Sequence, residues 1–331
     1  MKKQSKQTRR EFLSTTAKGA AVISAAGLVS SCSFLSKNET GLIPMRKLGK
    51  TGLDVSILSF GGGSQFAKNE NGAWQEHMNE ALENGINLFD TAPSYNTYKT
   101  SEQDLGSEER FGLILPQYRD KVIISTKLES RDPSKVREEV EGSLSRLKID
   151  YIDILLIHAI NDSDDVSVIE KGIYKELVAL KQEGLIKFVG FSSMDSAQRS
   201  KDMLDNLDID VALLAMNATK YGSYAEVALP SAIKQNTGVI AMKVMRNLVG
   251  KGVSVEDLLG YAWGQEGVSS ALIAHYGMEA LKDNIKHALK FQEDSLSLLD
   301  RARQESILAE HSGPQTLCWA RPGYVDGGVV V

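Results

Sequence analysis

The chain has 331 residues, a formal net charge of -5 and a hydrophobic fraction of 42%. These values are ordinary for a soluble globular protein with a core, and they exclude disordered and fibrous classes. Its charges are mixed, without a long run of Lys or Arg, which excludes an electrostatic footprint for nucleic acid. We therefore expect no nucleic-acid partner.

The first 31 residues have the order of features of an export signal. A basic head is followed by a weakly apolar segment rich in Ala and Gly, and small residues precede Cys32. The letters TRREFL place Arg9 and Arg10 just ahead of Phe12 and Leu13. This pattern resembles the twin-arginine signal for export of folded proteins. The apolar segment is shorter than the roughly 20 residues that a membrane-spanning helix needs.

The letters VSSC at the end of this signal resemble a lipobox, whose cysteine becomes the lipidated N-terminus after cleavage. Cys32 is thus the predicted lipidation site, and residues 32–44 are a predicted tether to a lipid anchor in the membrane. Cys318 is the other cysteine of the chain, so the mature monomer has no disulfide framework. The prediction is a periplasmic or otherwise extracytoplasmic lipoprotein that uses the twin-arginine export machinery.

Short apolar runs recur along the chain after Met45. They read SILSF, INLFD, KVIISTK, YIDILLIH, IKFVGFSS, VALLAMN, GVIAMK and SSALIAH. Each run is nearly continuously apolar and too short for a helix, which is typical of parallel strands covered on both faces. Ahead of the first run, alternating residues around a Lys-Thr-Gly turn predict a β-hairpin.

Segments with helical periodicity separate these runs. Between Val136 and Leu147, apolar residues recur at the spacing of one helix face, and Gly184 is a typical residue after the end of a helix. Eight strands that alternate with helices predict an α/β fold, the (β/α)₈ TIM barrel, over residues 45–290. Residues 291–331 form a predicted C-terminal helix and tail.

A doubly wound sheet is the competing architecture. Such a sheet would normally carry the motif G-x-G-x-x-G in the turn after its first strand. The corresponding letters here, FGGGSQFAKNENG, do not contain that motif. The barrel is therefore favoured, and a nucleotide site of the Rossmann type is not expected.

Four polar side chains follow the predicted strands at the edge where barrels place their chemistry. The second strand ends on Asp90, the third on Lys127 and the fourth on His158, and Tyr95 lies in the loop after Asp90. A nearby lysine ammonium would lower the pKa of the tyrosine, and Asp90 would keep that lysine charged. His158 would donate a hydrogen bond to a substrate oxygen. Such a set protonates a carbonyl oxygen as hydride arrives at its carbon, or removes the proton in reverse.

The segments that carry these residues resemble the aldo/keto reductase family. The similar segments read RKLGKTGLDVSILSFGG, GINLFDTAPSY followed by SEQDLG, IISTK, and DILLIH. The resemblance spans nearly all of the body of the chain. It implies that Asp90, Tyr95, Lys127 and His158 occupy the four catalytic positions, with Tyr95 as the general acid-base.

The resemblance also implies a nicotinamide cofactor, NADP(H) or NAD(H), at the mouth of the barrel. The implied cofactor-binding residues follow the last four strands: Ser192, Ser193, Asn217, Met242, Lys243, Asp283 and Asn284. Met242 stands where the commonest family pattern has an aromatic that stacks on the nicotinamide. The segment around His275 lacks the expected Arg, so a preference for the 2'-phosphate of NADP is not implied. No cluster of residues in the sequence indicates a metal site.

The expected function is reduction of a carbonyl, in an aldehyde, ketone or sugar, to an alcohol, or the reverse reaction. Two alternatives stay open. One is a non-catalytic nicotinamide-binding subunit that senses redox state or docks on a membrane partner. The other is a sugar-binding barrel without a cofactor, which the matches at Ser192 and Asn217 disfavour.

The leader generates one prediction about location. Changing Arg9 and Arg10 together to Lys should hold the protein in the cytoplasm, because the paired arginines are the recognisable feature of the signal. Fractionation followed by immunoblotting measures the exported share. Export of the double variant at the level of the unchanged chain, through an intact pathway, would refute the assignment.

Overall fold

The computed structural model describes residues 42–95, 105–293, 297–324 and 326. The leader, with Arg9, Arg10 and Cys32, lies outside the described residues. The described residues belong to one compact unit. Within the described part of the chain, no helix is both long enough and apolar enough to cross a bilayer.

Within the described residues, ten strands form a small antiparallel ribbon and a closed parallel barrel. Their bounds are β1 Met45–Lys47, β2 Asp54–Ser56, β3 Leu58–Gly61, β4 Leu88–Asp90, β5 Ile123–Leu128, β6 Ile152–Ile157, β7 Ile186–Ser193, β8 Val211–Ala215, β9 Gly238–Met242 and β10 Val268–Ile273. The barrel runs from β3 to β10 in chain order, and β10 closes it on β3. The predicted barrel and hairpin are confirmed.

Helices follow the barrel strands and cover their outer faces. Their bounds are α1 Ser64–Ala67, α2 Ala73–Glu83, α3 Ser107–Ile114, α4 Val136–Leu147, α5 Val166–Ile169, α6 Lys175–Glu183, α7 Ala197–Asn206, α8 Tyr224–Val227, α9 Leu229–Lys234, α10 Val255–Trp263, α11 Met278–Lys290 and α12 Leu298–Leu308. Helix α4 covers the periodic segment, and α6 ends one residue before Gly184, whose φ of 84° suits glycine. Because helices bury one strand face and the barrel interior buries the other, the strands are apolar throughout.

The hairpin of β1 and β2 lies at the amino end of the barrel strands. Arg46 of β1 donates hydrogen bonds to the carbonyls of Trp263 and Val268, which hold the hairpin to the start of β10. Leu48, in the hairpin turn, is fully buried and packs against Gly238 at the start of β9, where a Cβ would lie only 2.5 Å from the leucine Cγ. These contacts cover the amino end of the barrel and leave the carboxyl ends of the strands as the mouth.

Candidate active site

A buried ion pair joins two neighbouring strands at the mouth. Asp90 is the last residue of β4, and Lys127 lies near the end of β5. The Lys127 Nζ donates to Asp90 Oδ1 over 2.5 Å and to the carbonyl of Thr91 over 2.7 Å. Ser125 donates to the other Asp90 oxygen over 2.8 Å. Because Lys127 is only 1% exposed, these oxygens rather than water surround its ammonium group.

Tyr95 lies above this pair. Its ring centroid is 4.8 Å from the Nζ of Lys127 and 6.0 Å from the imidazole of His158. Burial first, and then the negative charges of Asp326 and Asp90, raise the pKa of the Tyr95 phenol well above its usual range. This result differs from the expected lowering by lysine, because burial of the phenol and the two nearby carboxylates dominate its pKa. The phenol therefore stays protonated, and the protonated phenol is the form that can donate a proton.

His158 follows β6 directly and is buried. Its Nδ1 lies 2.7 Å from a carboxylate oxygen of Glu129, and Ser94 donates to the other Glu129 oxygen over 2.7 Å. Since a carboxylate only accepts, Nδ1 carries a proton and Nε2 faces the mouth. Burial lowers the pKa of His158, but Asp326 and Glu129 outweigh burial and leave it raised above its ordinary value. For Glu129 burial raises the pKa, and the bond from His158 outweighs burial and lowers it.

A fifth charged group, Asp326 of the C-terminal tail, meets these side chains. Its Oδ2 accepts from the Tyr95 hydroxyl over 2.8 Å and lies 3.5 Å from Nε2 of His158. Its Oδ1 accepts from the ammonium of Lys243, which follows β9. Burial works against the charge of this carboxylate, but Lys243 and then His158 hold its pKa well below the usual range. The four predicted catalytic side chains thus converge at one point with a carboxylate among them.

A cavity of about 620 Å³ opens beside Tyr95 and Asp90 at the same mouth. Its lining includes Gly63, Met242, Lys243, Arg246, His275 and Asn284. Met242, Lys243 and Asn284 were predicted to bind the cofactor, and they line this cavity. The His275 imidazole is 1% exposed, and neither ring nitrogen has a hydrogen-bond partner within the described protein. Burial lowers the pKa of His275 to about 3, so the ring is neutral.

This cavity fits a nicotinamide nucleotide. Lys243 and Arg246 supply positive charge of the kind that phosphates need. Asn284 and His275 bring buried polar groups, and Met242 brings an apolar, polarizable surface suited to an aromatic ring. Cavities of this size, mostly apolar and with a few convergent polar groups, are typical of small-molecule sites.

Two further predicted cofactor residues, Ser192 and Ser193, end β7 and form hydrogen bonds to the loop after β6. The Ser192 hydroxyl accepts from the backbone N–H of Ala159, the residue after His158, over 2.9 Å. The Ser193 hydroxyl donates to the carbonyl of Ile160 over 2.7 Å. Both serines therefore hold the loop that carries His158, and neither lines the cavity described above.

Of the remaining residues predicted to bind the cofactor, some line the cavity and others do not. The Asn217 amide caps its own loop, because its oxygen accepts from the backbone and hydroxyl of Thr219 and its nitrogen donates to the carbonyl of Lys243. Asp283 is exposed on α11 and does not line the cavity. Its neighbour Asn284 is buried and does. Their roles toward a cofactor stay predictions.

Sequence reasoning missed Glu129, Asp326 and the orphaned ring of His275. Glu129 stands two residues after Lys127, so a search for polar side chains just beyond strand ends would have found it. Asp326 carries no such signal, since 231 residues separate it from Tyr95. Within the described residues, no group of three or more His, Cys, Asp or Glu side chains is arranged to hold a metal ion.

Comparison with known proteins bears on these observations. The pattern of the aldo/keto reductase family matches residues 58–252. The uncharacterized oxidoreductase YqkF of Bacillus subtilis is 27% identical over 316 residues, which cover 80% of this chain and 98% of that protein. The NADH-specific methylglyoxal reductase of Escherichia coli is 32% identical over 152 residues, 40% of this chain and 44% of that enzyme.

A solved structure is similar as well. A putative aldo-keto reductase from Pseudomonas aeruginosa has a TM-score of 0.62 at 28% identity, and the match covers 74% of this chain and 95% of that one. The chain belongs to the aldo/keto reductase family of oxidoreductases.

Proposed function

We propose that this protein reduces a carbonyl group to an alcohol with a nicotinamide nucleotide, and that Tyr95 donates the proton. One observation carries the proposal. The Tyr95 hydroxyl donates to one oxygen of Asp326 over 2.8 Å, and Nε2 of His158 lies 3.5 Å from that same oxygen, beside a cavity that fits the nucleotide. Membership of an oxidoreductase family supports the reaction class.

The protein's own groups would divide the work around the substrate oxygen. Nicotinamide supplies the hydride when it is bound. Tyr95, which is kept protonated by burial, donates to the carbonyl oxygen as negative charge develops there. His158 orients that oxygen from Nε2, and Lys127 places a positive charge near the phenol ring, which favours a developing phenolate.

Glu129 acts through His158 in this scheme. Its carboxylate fixes the proton on Nδ1, which leaves Nε2 directed at the oxygen. Ser94 holds the carboxylate from the other side, and Ser94 lies next to Tyr95 in the chain. Glu129 is therefore a positioning residue that couples the orientation of the imidazole to the loop of the proton donor.

The non-catalytic alternative is disfavoured by the same geometry. A subunit that only senses a bound nucleotide has no need of a buried phenol, an ion pair and an imidazole that converge on one oxygen. For the substrate we propose a small aldehyde, and methylglyoxal is the first probe because the E. coli relative is named for it. Export by the twin-arginine route and anchoring through Cys32 stay part of the proposal, supported by the leader sequence.

We also propose that NAD(H) is preferred over NADP(H). The 2'-phosphate needs a cation, and the segment 274–281 on the His275 side of the cavity contains none, since the cations of the lining come from other segments. It carries instead the exposed carboxylate of Glu279 next to Ala280, which lines the cavity. The E. coli relative named as NADH-specific supports this choice.

The first test replaces the proton donor. Tyr95→Phe should lower turnover about 10²- to 10⁴-fold, the usual worth of general acid-base assistance, and leave the nucleotide Kd within a few-fold. Turnover is followed by NADH absorbance and the Kd by nucleotide fluorescence. Tyr174→Phe is the control, because that hydroxyl bonds the carbonyl of Asp208, ahead of the amino end of β8. Retention of more than half of the activity by Tyr95→Phe would show that Tyr95 is not the acid.

The second test concerns nucleotide preference. The kcat/KM with NADH should exceed that with NADPH about tenfold or more, since a charged hydrogen bond is worth about 1.5–3 kcal/mol. Glu279→Arg should lower the ratio of kcat/KM with NADH to kcat/KM with NADPH, because it supplies a cation for the 2'-phosphate. Glu266→Arg, at the amino end of β10, makes the same charge change away from the mouth and should leave the ratio unchanged. Equal use of both nucleotides by the unchanged protein would contradict the preference.

The third test concerns Glu129. In ¹³C-histidine NMR spectra, His158 should titrate above the ordinary pKa of about 6.5, and Glu129→Gln should move its midpoint downward. A raised folded-state pKa stabilises the protein fully below about pH 6.5, and this stabilisation is lost as pH rises through the folded value. The melting-temperature advantage over Glu129→Gln should therefore shrink with rising pH. His275, with its pKa of about 3, is the internal reference that does not titrate. An unmoved His158 midpoint would refute the coupling.

A further inference from the structure

Asp326 occupies the centre of the mouth. One carboxylate oxygen accepts from the Tyr95 hydroxyl and faces Nε2 of His158, and the other accepts from Lys243 and lies 3.3 Å from the Tyr324 hydroxyl. The Asp326 side chain is 9% exposed, so the carboxylate has exchanged water for these protein groups. Its contacts span the barrel mouth from the β4 loop to the end of β9.

The oxygen of Asp326 lies where a substrate oxygen must lie. A carbonyl that receives a proton from Tyr95 has to accept that same O–H at hydrogen-bond distance. The phenol has a single hydrogen to donate, and Asp326 already accepts it over 2.8 Å. A carbonyl oxygen and the Asp326 carboxylate therefore compete for the same place.

We propose that Asp326 is a built-in carboxylate ligand of the substrate-oxygen site, which closes the site until a substrate displaces it. The proposal rests on the proposed function for its kinetic consequence, and its binding consequence is independent of turnover. The class of ligand that the vacated site would take from solution follows from the contacts. It is a small carboxylate, held by a phenol, an imidazole and an ammonium.

The short chain segment between Trp319 and Asp326 makes this competition strong. A ligand joined to its own site by a short chain has an effective concentration on the order of millimolar or higher. The fixed end is close, because Trp319, only seven residues before Asp326 in the chain, is buried in the core. A site that is open only for a fraction of the time shows an apparent affinity reduced by that fraction.

The pairing with Lys243 gives the closed state its charge balance. Both groups are more than nine-tenths buried at the side chain, with Lys243 8% exposed, and each would be costly without the other. A substrate that displaces Asp326 must leave Lys243 facing an alternative acceptor or water. This cost adds to the barrier against weakly binding ligands and favours those with a well-placed acceptor.

The experiment compares the unchanged full chain with Asp326→Ala and Asp326→Asn, without cofactor. Acetate is the probe, titrated by calorimetry and checked by its effect on melting temperature. Asp326→Ala should bind acetate about tenfold or more tightly than the unchanged protein, because the internal competitor is gone. Asp326→Asn keeps the size of the side chain and serves if the alanine variant folds poorly. Its amide lacks the charge, so acetate should also gain affinity there.

Two further variants make the result specific. Glu310→Gln removes an exposed acid from the same C-terminal region and should behave as the unchanged protein. In the double variant Tyr95→Phe with Asp326→Ala, acetate affinity should fall below that of Asp326→Ala alone, because the phenol donor is missing. Equal acetate affinity in the unchanged protein and both Asp326 variants would overturn the proposal.

Kinetics separate this proposal from the proposed function. With a small aldehyde and NADH, Asp326→Ala should lower the aldehyde KM about tenfold or more while kcat changes less. An unchanged aldehyde KM in a protein that does turn over would overturn the proposal for Asp326 and leave the proposed reductase activity intact. Acetate binding that appears only in the Asp326 variants, without carbonyl turnover in any protein tested, would support the proposal for Asp326 and overturn the proposed reductase activity.

Discussion

The buried ion pair of Asp90 and Lys127 is the contact on which the rest of the mouth depends. It joins the ends of β4 and β5, and the lysine also holds the carbonyl of Thr91, where the loop toward Tyr95 begins. Removing one partner of such a pair typically costs 3–5 kcal/mol, because the other charge is left buried. The pair therefore fixes the strand ends, the start of the loop and the charge beneath the phenol at once.

Three basic side chains at the mouth are each paired with a carboxylate. Lys127 pairs with Asp90, His158 pairs with Glu129, and Lys243 pairs with the Asp326 carboxylate of the tail. The first two acids belong to the barrel strands or the loops that follow them, whereas the third comes from the end of the chain. Withdrawal of the tail would thus leave the mouth with a net positive charge, which suits an anionic nucleotide and a developing negative charge on oxygen.

The barrel was predictable because each strand is buried on both faces and reads as an apolar run with a polar residue at its end. That pattern located Asp90, Lys127 and His158, and the structure brings them together with Tyr95. The raised pKa of the phenol was not predictable, since it depends on burial and on the carboxylates that the fold places beside it. The contact of Asp326 was not predictable either, because the pairing of residues so far apart in sequence is set by how the tail packs.

The two imidazoles at the mouth, His275 and His158, differ in their response to acidity. The His275 pKa of about 3 means that this buried wall of the cavity keeps the same charge from weakly acidic to weakly alkaline conditions. The oxygen site, by contrast, contains an imidazole whose pKa lies above its ordinary value. The cavity wall at His275 therefore keeps its charge over a range of acidity in which the imidazole of His158 can change its own.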